Sequence, residues 1–285
     1  MNCIINDTGT QAGDTLDCLL LNPPDDFSRY PYLGLCLLAA VLRKRGIRVE
    51  ILDSAALGYS MLDVVKHIKR KRPRIIGIGV MSMMLRFCYQ LIQGIKESYP
   101  EGIIVVGGAH VNADVDILTT MNVRYGFRGE CEYEFANFCE QIIGGQTPKP
   151  MPGLIINDHG NISASEPQVV SDLDTLPMLA YDLLPLGKYY SPSTNLKTIS
   201  FISSRGCPYN CVYCSKLQRV RYRHLSTDKI LDQLEVLVRE YGMQWIEFVD
   251  EIFTLDRNRV VELCQGISRC IGKITLIDRP SLCFS

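Results

Sequence analysis

The sequence lacks two features that point to common classes of binding protein. It has no excess of one charge, because its 285 residues carry a formal net charge of −1. A protein that binds nucleic acid through phosphate contacts needs a basic surface, so no such partner is predicted. It also has no long apolar run. The most apolar helical stretch, residues 33–42, covers about ten residues, whereas a membrane-spanning helix needs about 20.

Paired cysteine spacing and an export signal are missing as well. Most of the twelve cysteines are scattered singly along the chain. The first residues, MNCIINDTGTQAGD, contain neither the charged segment nor the apolar core of a signal peptide. Scattered thiols without an export signal predict a cytoplasmic protein, in which most cysteines act as small buried apolar groups.

Three cysteines do lie close together. Cys207, Cys211 and Cys214 form a C-x3-C-x2-C motif, with Tyr213 just before the last one. Three such thiolates can hold three irons of a 4Fe–4S cluster. No fourth ligand is nearby, so one iron is left open, and an open coordination position is where a metal site does chemistry. The alternative, a structural zinc site, usually needs four ligands in CxxC pairs.

Alternating apolar and amphipathic segments predict an open, doubly wound α/β domain over residues 16–145, after a tail at residues 1–15. The apolar runs are near-continuous in Val, Ile and Leu, as in parallel strands that are covered on both faces. We predict strands at 16–21, 48–53, 74–80, 102–106 and 123–127, and helices at 33–45, 61–71, 85–99, 113–121 and 132–143.

The loops after these strands are expected at one edge of the sheet, where doubly wound domains bind ligands. Glycines there let the backbone approach a ligand closely, although they also serve tight turns. The candidate contacts are Asn22, Pro23, Pro24, Ser82, Gly107, Gly108, His110, Gly129 and Glu130.

A linker is predicted over residues 146–197, with a β-hairpin at 153–157 and 161–164. A second α/β unit follows over residues 198–285. Its predicted elements are a strand at 198–203, a helix at 227–241, a strand at 244–249, a helix at 257–271 and a further strand at 273–277. Two to three βα units are too few for an eight-fold barrel of about 200 or more residues.

The stretch Ser204-Arg205-Gly206-Cys207-Pro-Tyr-Asn-Cys211-Val-Tyr-Cys214 resembles the cluster motif of the radical S-adenosylmethionine (radical SAM) enzymes. Residues 16–145 contain Asn22-Pro-Pro, Leu33-Gly-Leu, Gly107-Gly-Ala-His110 and Arg128-Gly-Glu130, and are similar to the cobalamin-binding domain of one subfamily. This resemblance implies a Rossmann-like, cobalamin-binding domain followed by the first, incomplete part of a radical SAM (β/α) barrel.

The resemblance also implies a reaction. The three cysteines would ligate iron, S-adenosylmethionine would chelate the open iron, and its reductive cleavage would give a 5′-deoxyadenosyl radical. Cobalamin carries a methyl group in many relatives, so C-methylation of an unactivated carbon is expected, with an electron donor of the flavodoxin or ferredoxin type as partner. Tyr213 would lie near the adenine, while Asp250 and Glu251 would help to hold the methionine amino group.

Two positions depart from the family pattern. No histidine follows the first strand, so cobalamin is expected to bind without a histidine lower ligand. His110 is then expected to contact the corrinoid or its tail rather than the cobalt. Cys131 stands where relatives usually have glycine, and it is expected to be a tolerated small residue at a helix start.

Alternative functions remain at this point. One is a cobalamin-dependent cyclase or rearrangement enzyme, and another is a cobalamin-binding module with a vestigial cluster segment. A methylthiotransferase-like enzyme with a second cluster is disfavoured, because Cys18, Cys36 and Cys88 fall within a strand and two helices. Later barrel strands carry substrate contacts in this family, so the chain is expected to be a fragment that turns over poorly by itself.

Overall fold

The computed structural model describes residues 16–24, 30–191, 194–214, 221–270 and 275–278, with residues 270 and 275–278 described by their backbone only. The predicted tail at residues 1–15 lies outside these ranges, as do residues 25–28 of the loop after the first strand. Within them the α/β architecture is confirmed. No helix in this part of the chain is long and apolar enough to cross a bilayer.

The amino-terminal unit is a seven-stranded sheet. Its strands are β1 (Cys18–Asn22), β2 (Val49–Asp53), β3 (Ile75–Gly79), β4 (Ile103–Gly107), β5 (Tyr125–Phe127), β6 (Leu154–Asp158) and β7 (Asn161–Ala164). They lie in the order β2-β1-β3-β4-β5-β6-β7, and β1 to β5 are parallel. This is the predicted doubly wound arrangement, in which the strand order reverses between β1 and β3.

Helices cover both faces of this sheet. They are α1 (Leu33–Lys44), α2 (Ser54–Leu57), α3 (Met61–Lys71), α4 (Leu85–Ser98), α5 (Ala109–Ala113), α6 (Ile117–Thr120) and α7 (Glu132–Ile143). In β1, Cys18 and Leu20 belong to one core, while Leu19 and Leu21 belong to the other. Because successive side chains alternate between faces, burial of both faces requires the continuous apolar runs seen in the sequence.

The single helix predicted over residues 113–121 is wrong, since α5 and α6 occupy this region. The break lies at Asp114, whose backbone is extended with φ −143° and ψ 103°. The Asp114 carboxylate accepts a hydrogen bond from the N–H of Asp116 at 3.0 Å. A short acidic side chain that binds a nearby backbone N–H competes with helical hydrogen bonding, and here it overrides the apolar spacing.

The predicted hairpin forms, but it belongs to the main sheet rather than to a separate linker. β6 pairs antiparallel with β5, and Phe127 stands opposite Leu154. β7 pairs in turn with β6 and forms the sheet edge. Strand β5 has only three residues, and its pairing with β6 supplies hydrogen-bond partners for backbone groups that would otherwise lack them.

The second unit contains a three-stranded parallel sheet. Its elements are β8 (Thr198–Phe201), β9 (Ser204–Arg205), β10 (Arg223–His224), α8 (Thr227–Arg239), β11 (Trp245–Phe248), α9 (Arg257–Cys270) and β12 (Thr275–Asp278). The strand order is β12-β11-β8, as the predicted strand–helix alternation requires. β9 pairs antiparallel with β10 and closes the base of the segment that carries the three cysteines.

The segment between the two sheets is packed rather than loose. The Tyr181 side chain is fully buried, and its hydroxyl donates to the Ser200 carbonyl in β8 at 3.2 Å. Arg43 of α1 donates two hydrogen bonds to Asp182, at 2.5 and 2.8 Å. One apolar core continues from α1 and α7 through this segment to β8, β11 and α8. The two sheets are therefore held against each other.

Candidate functional site

A cavity of about 200 Å³, here called the switch-point cavity, opens where the doubly wound order reverses. It lies near the carboxyl ends of β1, β3, β4 and β5, the edge at which such sheets bind ligands. Its walls are mainly glycine and apolar side chains, including Leu20 and Phe135. Of the predicted contacts, Gly107, Gly108 and Gly129 line it.

Gly108 is required by the protein backbone itself. Its φ is +102°, and a Cβ at this position would lie 2.9 Å from the carbonyl oxygen of Val80. The same oxygen accepts a hydrogen bond from the N–H of His110 at 3.1 Å. The glycine thus lets the chain after β4 pack against the end of β3, which is the tight-turn interpretation.

Asn22, Pro23 and Pro24 do not line the switch-point cavity, and their contact with a ligand stays a prediction. Asn22 is 1% exposed, and its amide donates to Asp53 Oδ1 at 2.8 Å. Tyr189 donates its hydroxyl to Asp53 Oδ2 at 2.5 Å. A buried carboxylate needs such donors, so the Asn22 amide ties the ends of β1 and β2 together.

Ser82 and His110 come together at the same edge of the sheet. Ser82 Oγ and His110 Nδ1 lie 2.9 Å apart and join the segment after β3 to the start of α5. Neither residue lines the switch-point cavity. A contact from this pair to a ligand stays a prediction.

A second cavity of about 300 Å³, here called the inter-sheet cavity, lies between the two units. Its walls include Gly34 of α1, Arg205 of β9 and Glu251 after β11. Gly34 lines the switch-point cavity as well, so the two cavities are adjacent.

Four charged residues, Glu130, Glu132, Arg205 and Arg223, form what we call the charged cluster. Arg205 Nη2 lies 2.8 Å from Glu132 Oε1, and Arg205 Nη1 lies 3.3 Å from Glu130 Oε2. Arg223 Nη2 lies 2.7 Å from Glu130 Oε1. The cluster joins the loop after β5 and the start of α7 to β9 and β10. It therefore connects the wall of the switch-point cavity to the base of the cysteine segment.

These contacts set the charge of Glu130. Burial by itself would raise the pKa of this carboxyl, but the hydrogen bond from Arg223 and the charge of Arg205 outweigh it and lower the pKa below its ordinary value. Glu130 also accepts a hydrogen bond from the N–H of Val170 at 2.8 Å, so both carboxylate oxygens are engaged within the protein. The residue lines the inter-sheet cavity, and a direct contact from it to a cofactor stays a prediction.

Sequence reasoning missed Glu132, Arg205 and Arg223 as members of this site. Two of them stand beside residues that it did select. Glu132 is two positions after Glu130, and Arg205 is two positions before Cys207. Arg223 had no comparable signal, since its partner Glu130 is 93 positions away in the chain.

The three motif cysteines lie on the loop between β9 and β10. The side chains of Cys207 and Cys211 are partly exposed, that of Cys214 is exposed, and none is in a disulfide. The N–H of Cys214 donates to the Cys211 carbonyl at 3.1 Å. Tyr213 is 66% exposed. The predicted thiols are therefore accessible and lie close together in the sequence, between Cys207 and Cys214.

The donor set fits an iron–sulfur cluster in its chemistry, because three accessible thiols on one loop are the soft ligands that such clusters use. Their side chains do not converge in this structure. Across the described ranges no group of three or more His, Cys, Asp or Glu side chains stands close enough together to hold a metal ion.

Asp250 and Glu251 have different surroundings. Asp250 is buried and accepts hydrogen bonds from the Ser203 N–H at 2.6 Å and the Ser204 N–H at 2.9 Å, so it joins the ends of β8 and β11. Glu251 lines the inter-sheet cavity. Partial burial, together with the charges of Glu130 and Asp250, raises the pKa of Glu251. Of this pair, Glu251 lines the inter-sheet cavity and Asp250 does not.

Comparison with known proteins gives a family match for the amino-terminal unit. Residues 27–138 match the B12 binding domain family. That range contains most of the wall of the switch-point cavity, including three glycines at the ends of β3 and β4, namely Gly79, Gly107 and Gly108.

The relatives in sequence include several methyltransferases. The chain is 31% identical over 246 residues to an uncharacterized methyltransferase, PH0819, of Pyrococcus horikoshii, covering 84% of this chain and 52% of that protein. It is 27% identical over 303 residues to the cytidylyl-2-hydroxyethylphosphonate methyltransferase of Streptomyces wedmorensis, covering 86% and 56%. The chain thus spans about half the length of the curated relatives it matches.

Solved structures show the same fold. The cobalamin-dependent S-adenosylmethionine radical enzyme OxsB, with aqua-cobalamin and S-adenosylmethionine bound, superposes with a TM-score of 0.78 at 21% identity over 92% of this chain and 38% of that one. The radical S-adenosylmethionine methyltransferase TsrM of Kitasatospora setae, with cobalamin and a [4Fe-4S] cluster bound, gives 0.71 at 19% identity over 88% and 50%. Residues 27–138 therefore match the B12 binding domain family, and the chain shares its fold with these two solved enzymes.

Proposed function

We propose that this chain holds cobalamin in its amino-terminal unit and a 4Fe–4S cluster with S-adenosylmethionine beside it, as part of an enzyme that methylates an unactivated carbon. The observation that carries the proposal is the adjacency of the two cavities at Gly34. Two cofactors that act on one substrate have to lie close together. Here the ligand edge of a B12-binding domain faces the base of a three-cysteine loop.

The switch-point cavity supports cobalamin as the first cofactor. Its volume of about 200 Å³ suits an apolar part of a larger molecule rather than the whole of cobalamin. The described part of the loop after β1 contains no histidine. We therefore expect cobalamin to bind without a histidine lower ligand, and a visible spectrum with the signature of a protein nitrogen ligand would contradict this.

The inter-sheet cavity supports the second site. Gly206, which precedes Cys207, and Glu251 line this cavity. Cys207, Cys211 and Cys214 would supply the three thiolates beside it, and Glu251 would accept a hydrogen bond from the methionine amino group. Asp250 positions the ends of β8 and β11 instead. A reduced cluster with S-adenosylmethionine supplies a 5′-deoxyadenosyl radical, for which a flavodoxin or ferredoxin type of protein would provide the electron. We expect the adenine of S-adenosylmethionine to lie near Tyr213.

Methylation is the reaction class that most of the named relatives favour. They include a hopanoid C-3 methylase of Methylococcus capsulatus, 26% identical over 251 residues. Cyclisation is the second candidate, because an anaerobic magnesium-protoporphyrin IX monomethyl ester cyclase of Synechocystis is 26% identical over 275 residues. A second cluster on Cys18, Cys36 and Cys88 has no support, since all three are fully buried in apolar cores.

Metal and corrinoid content would test the proposal directly. The purified chain, reconstituted without oxygen with iron, sulfide and hydroxocobalamin, should hold roughly four irons and one corrinoid. About eight irons would favour the methylthiotransferase-like alternative. A corrinoid without iron would favour a binding module, and bound zinc a structural site. Release of 5′-deoxyadenosine on reduction with S-adenosylmethionine would support radical chemistry.

A further inference from the structure

Asn112 of α5 stands between the two cavities, although sequence reasoning did not select it. The residue lines the inter-sheet cavity. Its Oδ1 accepts a hydrogen bond from the N–H of Gly129 at 2.6 Å, and Gly129 lines the switch-point cavity. Because a backbone N–H can only donate, this contact fixes which end of the carboxamide is the oxygen. Nδ2 is therefore the end that Gly129 does not engage.

The Nδ2 group has donors to spare and is accessible. No residue that the structure describes accepts a hydrogen bond from it. Asn112 is half-buried, and Nδ2 is not among the buried polar atoms that lack a partner. An unpartnered atom that is not buried can be reached from outside. Its two N–H donors are therefore available to a molecule that enters the inter-sheet cavity.

The other polar side chains on this wall offer a ligand less, with one exception. Glu130 and Arg205 are paired within the charged cluster, and the Ser204 hydroxyl oxygen is buried. The exception is Glu251, which is exposed and lines the cavity. The side chains of the wall thus present an acceptor, Glu251, on the second unit and a donor, Asn112, on the amino-terminal unit.

The charges around the cavity narrow the kind of ligand. Of the charged residues on this wall or linked to it, carboxylates outnumber guanidinium groups. The carboxylates are Glu130, Glu132, Glu134, Asp250 and Glu251, and the guanidinium groups are Arg205, Arg223 and Arg259. Such surroundings favour a ligand that carries positive charge. A carboxylate on that ligand needs a hydrogen-bond donor of its own there.

We propose that Asn112 Nδ2 donates a hydrogen bond to the carboxylate of the ligand in the inter-sheet cavity. This inference rests on the proposed function, in which that ligand is S-adenosylmethionine. Its sulfonium supplies the positive charge. Its amino group, assigned to Glu251, and its carboxylate are attached to the same carbon, so the carboxylate is the ligand acceptor nearest to Glu251. The hydrogen bond is charge-assisted and joins this ligand to the amino-terminal unit.

The Asn112→Asp variant separates the two ends of the side chain. The introduced carboxylate keeps an oxygen for the Gly129 N–H but puts a second oxygen where Nδ2 donates. The chain, reconstituted without oxygen with iron and sulfide, is titrated with S-adenosylmethionine in a calorimeter. We expect the Kd to rise about ten- to hundredfold, as for loss of a hydrogen bond to a charged group. Net charge alone would act in the opposite direction, because an added negative charge attracts a sulfonium.

Decarboxylated S-adenosylmethionine is the matched probe, because it lacks only the carboxylate. Asn112→Asp should bind this probe no more weakly than the unmodified chain does. The comparison of two ligands on two proteins isolates the contact between the side chain and the carboxylate.

Asn122→Asp is the matched control variant. Asn122 is exposed and does not line the inter-sheet cavity, so the substitution adds the same charge to the same unit. Its Kd for S-adenosylmethionine should stay within about twofold of that of the unmodified chain. The unfolding midpoint of each variant checks that it folds. If Asn112→Asp does not fold, Asn112→Ala removes the donor without adding a charge and should weaken binding about tenfold.

Weaker binding of S-adenosylmethionine alone by the Asn112 variants supports the inference. Equal weakening of both ligands would overturn it, since the effect would not depend on the carboxylate. Unchanged binding of S-adenosylmethionine by the folded variants would also overturn it, while leaving the proposed function intact. Failure of the unmodified chain to bind S-adenosylmethionine with its iron in place would overturn the proposed function and the inference together.

Discussion

Arg223 and Glu130 make two parallel hydrogen bonds, of 2.7 and 2.8 Å, although 93 positions separate them in the chain. Both side chains are buried. The pair fastens β10, which follows the cysteine loop, to the loop that follows β5. The pair therefore holds the two units together beside the inter-sheet cavity, which Glu130 lines.

Removal of one partner of the Arg223–Glu130 pair should lower the stability of the folded protein. Glu130→Ala leaves Arg223 buried without its carboxylate, so we expect the free energy of unfolding to fall by about 3–5 kcal/mol. Urea denaturation followed by circular dichroism measures it. The control is Glu235→Ala, which breaks the exposed pair with Arg239 and should cost at most ~1 kcal/mol. Similar losses for both variants would contradict a structural role for Glu130.

The same carboxylate predicts a dependence of stability on pH. The pKa of Glu130 is lowered from 4.5 in the folded protein, so between the two values the unfolded chain binds a proton that the folded chain does not. Its contribution is therefore fully present above the unfolded value and is lost as the pH falls through the folded one. The stability gap between the unmodified chain and Glu130→Gln should narrow below about pH 4.5. A gap that stays constant on acidification would count against this assignment.

Asp250 and Glu251 should respond differently to neutralisation. Asp250→Asn keeps one acceptor oxygen for the N–H groups of Ser203 and Ser204, but it puts an NH₂ group where Oδ2 accepts the Ser203 hydroxyl. Unfolding should therefore become easier by about 1–3 kcal/mol. Glu251→Gln should change stability by no more than about 0.5 kcal/mol while weakening the binding of S-adenosylmethionine. Unfolding curves and calorimetric titration separate the two effects. A large stability loss only in Glu251→Gln would reverse our assignment.

Tyr189 should be needed for stability although it lines neither cavity. Tyr189→Phe removes the hydroxyl that donates to the buried carboxylate of Asp53. The expected loss is about 1–3 kcal/mol, because the acceptor stays buried without its partner. The neighbouring Tyr190 is 43% exposed, so Tyr190→Phe is the control and should be nearly neutral in thermal unfolding. Equal melting temperatures for the two variants would show that the Asp53 contact is dispensable.

Iron binding should depend on the loop thiols and not on Cys264. We expect Cys207→Ala, Cys211→Ala and Cys214→Ala each to abolish most of the iron and the cluster absorbance after reconstitution. Cys264 is an exposed thiol on α9, which makes Cys264→Ala the matched control with unchanged iron. Iron retained at the full level in any loop variant would remove that residue from the ligand set.

Several features followed directly from local sequence. The near-continuous apolar runs predicted the five parallel strands β1 to β5, because burial on both faces favours apolar side chains at successive positions. Helix α3 has the predicted bounds, Met61–Lys71, since Ser60 and Asp63 form a capping box that fixes its start. The cysteine spacing identified the candidate cluster ligands without any information about packing.

Contacts between residues that are distant in the chain decided the remaining features of the site. The sequence by itself determined which segments become strands and helices and which thiols share a loop, since periodicity and spacing are local properties. Only the tertiary structure placed Glu132 in a cavity wall, paired Glu130 with Arg223, and separated Asp250, which joins strand ends, from Glu251, which lines a cavity. The physical reason is that burial, charge pairing and unsatisfied polar atoms depend on residues that are distant in the chain and meet only after folding.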